Sequence, residues 1–134
     1  MKTGLLALSF AIVSSGYLAQ MKSLPKLESG VSYELAQFRK SVLSNIKYQL
    51  DLKIPESKSE RISGTEVLSF NYKKQNEAPL LIDFKEEAAS LVSVAVNGKV
   101  TKPVFQNEHI IIDAQYLKSG LNQIHFTFLA GNGA

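Results

Sequence analysis

Cysteine is absent from this 134-residue chain, and histidine occurs only twice. Without a thiol there is no disulfide scaffold, no thiolate zinc finger, no iron–sulfur cluster and no thiol nucleophile. Two imidazoles fall short of a His-rich metal site. Proline and glycine are sparse, at four and eight positions, which separates the chain from collagen-like and low-complexity sequences. No sign of charge dominates: 15 Lys and Arg face 12 Asp and Glu, a formal net charge of +3 spread along the whole length. So small an excess is no electrostatic footprint for nucleic acid, and no nucleic-acid partner is expected. The one sustained apolar run, residues 5–13, is about half of the ~20 residues a membrane-crossing helix needs, so no permanent membrane span is expected. What is present is a globular composition, 45% hydrophobic and 20% charged, at a length suited to one domain.

Lys2, the apolar run and the small residues Ser14, Ser15 and Gly16 follow the basic, apolar, small order of a secretory signal peptide. The signal peptide is assigned to residues 1–19, with cleavage after Gly16 or after Ala19. No cysteine follows the run, which excludes a lipid anchor at that point. A chain that is exported yet has no cysteine and no Asn-x-Ser/Thr sequon suits a bacterial envelope. The mature protein is expected in the periplasm or outside the cell. Residues 20–30 hold Pro25 and Gly30 without a sustained period and read as a linker, leaving 31–134 as one domain.

Beyond the linker the period is helical. Val31, Leu35, Phe38 and Val42 form one stripe of an amphipathic helix. Ser32 is placed to cap it, Glu34 suits the positive end of its dipole, and Arg39 and Lys40 suit the other. The spacing predicts a helix over residues 32–43. At Ser44 the period becomes two. Ile46, Tyr48, Leu50, Leu52 and Ile54 alternate with Asn45, Lys47, Gln49, Asp51 and Lys53, predicting a half-buried strand that Pro55 ends. A second strand is expected over Ile62–Tyr72, where Glu66 interrupts an apolar row of Leu68, Phe70 and Tyr72.

Shorter strands are expected at 80–84, 91–96, 100–105 (interrupted by Pro103), 109–113 and 123–129. Residues 117–122 are expected to hold the turn Lys118-Ser119-Gly120, and Asn97-Gly98 is a strong hairpin signal. This spacing predicts an all-β chain, an antiparallel β-sandwich with one short helix ahead of it.

Groups able to do chemistry are few. His109 and Asp113 share a strand face but lie about 13 Å apart along it, too far for a common metal, and His125 falls on a polar face. Both histidines read as solvated. Glu86 and Glu87 are adjacent, whereas a glycosidase pair faces across a cleft, so they read as a solvated turn. Asn107 and Asn132-Gly133 read as turn residues. The tyrosines and phenylalanines fall at core spacing. There is no G-x-S-x-G elbow and no Gly-rich phosphate loop. No catalytic, cofactor-binding or metal-binding residue is assigned.

Two stretches carry a family likeness. One is GVSYELAQFRKSVLSNIKYQLDLKIPESKSERISGTEVLSF; the other is LLIDF followed by VNGK, QNEHIII and LKSGLNQIHFTFLAGN. Their order resembles the N-terminal β-sandwich domain of the aminopeptidase N family of zinc metallopeptidases, over residues 30–132. The resemblance implies an exported enzyme that removes N-terminal residues from peptide substrates with one zinc ion. It also implies that this part packs on a catalytic domain and helps wall the substrate cavity.

The family's H-E-x-x-H and G-x-M-E-N motifs are both missing here, so no zinc ligand or catalytic residue is carried over. The chain is then expected to be a non-catalytic piece that stops before the catalytic domain, inactive alone. Val67 and Ile111, apolar residues on polar faces, are candidates for the docking side. The alternative is a standalone exported β-sandwich that binds a peptide, glycan or protein partner.

Overall fold

A computed structural model describes residues 26–75 and 77–131. The signal peptide expected at 1–19, most of the linker and the Asn132-Gly133 turn lie outside the described residues. The helix, α1 (Tyr33–Val42), starts where Ser32 Oγ accepts a hydrogen bond from Leu35 N at 3.1 Å. Glu34 stands in its first turn and Arg39 and Lys40 in its last, while Leu35, Phe38 and Val42 are buried. The predicted bounds hold to within one residue at each end. Val31 stays exposed, because it precedes the first turn.

Eight strands follow: β1 (Leu43–Lys53), β2 (Ile62–Tyr72), β3 (Leu80–Asp83), β4 (Leu91–Val96), β5 (Lys99–Thr101), β6 (Val104–Gln106), β7 (His109–Ile112) and β8 (Gly120–Ala130). They form two antiparallel sheets, ordered β1-β2-β8-β4-β5 and β3-β7-β6. The chain is therefore all-β with one short helix among the described residues. β8 pairs along the full length of β2, from Ile62↔Ala130 to Tyr72↔Gly120.

Turn chemistry sets the hairpins. Asn97 (φ 51°) and Gly98 (φ 81°) are both left-handed, as a two-residue hairpin turn requires. Asn107 (φ 49°) and Glu108 (φ 63°) repeat that geometry between β6 and β7 without a glycine. The single strand expected over 100–105 is two strands in different sheets, because Lys102-Pro103 breaks the ladder between β5 and β6. Asn122, fully buried, accepts from Lys118 N and Asn97 Nδ2 and donates to the Lys118 and Gly120 carbonyls.

The two sheets share one core. Leu68, Phe70, Val94, Val96, Ile124 and Phe126 from the larger sheet meet Leu80, Ile110 and Ile112 from the smaller, with Phe38 and Val42 of α1 at one end. Each such side chain contributes about 1.5–3 kcal/mol by leaving water.

β1 departs from its predicted burial. Ile46, Tyr48, Leu50, Leu52 and Ile54 are exposed, between 45% and 69%. Their alternation is real, and the register Tyr48↔Leu68, Leu50↔Glu66 and Leu52↔Gly64 puts β1's apolar side on the core face of the sheet. The smaller sheet covers that face at β2 and not at β1: across one pair, Leu68 is 5% exposed and Tyr48 69%.

Candidate functional site

The uncovered strip is built by an edge strand and two local devices. Asn45 (φ 51°) forms a bulge between Ser44 and Lys47, the point where the β1–β2 register shifts. Beside Leu52, Gly64 leaves room for the Phe128 ring. A methyl group on Gly64 would overlap Phe128 Cζ and Cε2 and come within 3.0 Å of Leu52 Cδ2. The strip thus runs as cross-strand rows, Leu52–Gly64–Phe128 and Leu50–Glu66–Phe126.

Glu66 stands in the middle of this apolar surface. Burial pushes its carboxyl above the ordinary glutamate value, and no neighbouring charge or hydrogen bond among the described residues offsets it. It lines a cavity of about 130 Å³ together with Ile82, Asp83, Ile110 and three phenylalanines, Phe84, Phe126 and Phe128. Phe84 meets Phe128 edge to face, ring centres 6.4 Å apart. A second hollow, also about 130 Å³, lies where Ile46 and Tyr48 approach Leu80, Leu81 and Ile82.

On the cavity wall, Asp83 is held by a neighbour. Arg39 clasps it with two bonds, Nη1 to Oδ2 at 2.9 Å and Nη2 to Oδ1 at 2.6 Å, and Nη2 also donates to Leu81 O at 2.8 Å. Burial alone would raise the Asp83 carboxyl. The Arg39 bonds and charge, with His109, outweigh it and hold the group below the ordinary aspartate value.

His109 is a correction to the expected solvated histidine: it is wholly buried. Its Nε2 donates to Glu28 O at 2.9 Å, since a carbonyl only accepts. Its Nδ1 lies 3.0 Å from Asp83 Oδ1, off the line of an aligned hydrogen bond. The two neighbours on the β6–β7 turn join in, Asn107 Nδ2 donating to Leu27 O and Glu108 Oε2 accepting from Gly30 N. Three consecutive side chains thus hold the backbone of the segment ahead of α1.

The other candidates are ordinary. His125 is exposed, as expected, and bonds Gln123 Oε1. Glu86 pairs with Arg61 at 3.4 Å at the surface and accepts from Gly131 N. Val67 and Ile111 are partly buried, and the main apolar exposure lies instead on β1. A recess of about 320 Å³ near Lys102, Asp113 and Tyr116 mixes both charge signs with prolines. Among the described residues no group of three or more His, Asp or Glu is placed to hold a metal ion, and no helix is long and apolar enough to cross a membrane.

One signal for the site was legible, the single acid in the apolar row of β2. The His109 contacts had none, since their partners lie 26 and 81 residues away in sequence. Compared with family models, with curated proteins and with solved structures, the chain matches none.

Proposed function

We propose that this chain is the amino-terminal, non-catalytic β-sandwich part of an exported zinc aminopeptidase, and that the β1 face is where it packs on the catalytic domain. The observation that carries the reading is the uncovered strip. Ile46, Tyr48, Leu50 and Leu52 continue the apolar face of the core sheet into solvent, and a contiguous exposed patch of that kind marks an interaction surface. The resemblance in the order of helix, strands and turns supplies the identity of the partner.

The described residues hold no ligand set that fits zinc, so the ion belongs to the catalytic part in this reading. There it would activate water for attack on the first peptide bond. The contribution of this chain is a wall: a rigid sheet that limits entry to peptides with a free end.

The test is to sequence the coding DNA downstream of codon 134. A frame continuing into H-E-x-x-H and a distal Glu supports the proposal. A stop codon followed by unrelated sequence overturns it and leaves the standalone module, docking a protein through the same strip.

A further inference from the structure

We propose that the cavity beside Glu66 receives one cationic side chain, an ammonium or guanidinium group, from the protein that docks on the β1 face. The inference rests on the reading of that face as a protein-docking surface, whichever protein it is. The cavity holds two carboxylates with unlike surroundings. Asp83 is matched by the Arg39 fork and the His109 ring. Glu66 has neither, and its cross-strand neighbours are Leu50 and Phe126. While the face is open, water solvates Glu66. A docked apolar surface removes that water, and a carboxylate stripped of water without a partner is costly.

A cation on the partner answers this in two ways. It gives Glu66 a charge-assisted hydrogen bond, which is stronger than one between neutral groups. It also sits among Phe84, Phe126 and Phe128, whose ring faces attract positive charge. The volume of about 130 Å³ is room for about four waters, enough for the end of one long basic side chain. A partner with a neutral or acidic residue at this point leaves Glu66 buried and alone, so the same carboxylate supplies selectivity.

The test uses two probes of like shape, benzamidinium and neutral benzamide, titrated into the full chain while the Glu66 and Phe128 resonances are followed by NMR. The expected result is that benzamidinium binds about tenfold more tightly than benzamide and shifts Glu66 and Phe128. In Glu66→Gln the preference disappears, while in Glu86→Gln, at an exposed surface pair, it persists. Equal affinity for the two probes, or a preference that survives in Glu66→Gln, overturns the proposal. That outcome leaves the aminopeptidase reading intact. Conversely, a downstream sequence without H-E-x-x-H removes that reading and leaves the cation site standing.

Discussion

Tyr48 and Leu68 are cross-strand partners on one face of one sheet, yet one is mostly in water and the other is core. The same contrast holds along the sheet. From β2 through β8 to β4, the inner face meets Leu80, Ile110 and Ile112 of the smaller sheet; at β1 the smaller sheet reaches only the edge of a hollow beside Ile46 and Tyr48, and the apolar side chains from Ile46 to Leu52 stay exposed. Alternation is unbroken along β1, whereas Glu66 interrupts it in β2. Such alternation records which side of a strand is apolar and says nothing of what covers that side. A long apolar edge strand is a pairing and aggregation hazard unless it is covered, which is the ground on which the open half is proposed as an interface.

The largest expected effect separates the two halves directly. Ile124→Ala in the covered half removes a fully buried side chain and should cost about 2–5 kcal/mol. Leu50→Ala in the open half should stay within about 0.5 kcal/mol. Urea denaturation of both variants measures the difference, and similar losses would show that β1 is covered in solution, by a second copy or otherwise. A smaller effect is expected at the seam between the halves. Gly64→Ala pushes the Phe128 ring out of its place, an overpacking cost of about 1–3 kcal/mol. The Phe84–Phe128 contact should loosen with it, visible as a loss of cross-peaks between the two rings.

Much of the fold was legible in local chemistry. Ser32, with its apolar stripe, specifies α1; Asn97-Gly98 specifies a hairpin; the alternation of β1 specifies its apolar side. What was not legible depends on distance along the chain. Whether β1 is covered depends on how far a sheet made from residues 80–112 reaches across it, and no local period encodes that. His109 looked like a polar residue on a short strand. Its burial follows from Asp83, its register partner across the β3–β7 pair, and from Glu28 in the segment ahead of α1. Glu66 was visible as an interruption, but only the fold gives Arg39 to Asp83 and leaves Glu66 without a partner among the described residues.

Arg39→Met sharpens the comparison at the two acids. Asp83 is 44% exposed, so solvent screening holds the expected cost to about 1 kcal/mol. The pH response has a definite sign. Because the folded Asp83 carboxyl lies below its ordinary value of 3.8, its stabilisation is present above that value and is lost as pH falls through the depressed folded one. Removing Arg39 should therefore move the acid-unfolding midpoint to higher pH. An unchanged midpoint would mean that His109 alone holds the carboxylate.

The smallest effect has the opposite sign. Glu66 lies above its ordinary value of 4.5 because of burial, so in that window the folded state retains a proton that the unfolded chain has released. Stability from this group rises as pH falls through the raised folded value and declines as pH climbs. Glu66→Gln keeps the shape and removes the ionisation. At neutral pH the variant should be more stable than the parent, by about 0.5 kcal/mol or less because water still reaches the carboxylate. The gap should close as the parent is titrated toward pH 4.5. A variant less stable than the parent at neutral pH would mean that the carboxylate already has a favourable partner in the free chain. The open half would then be electrostatically complete, and a docking protein would have no charge to supply.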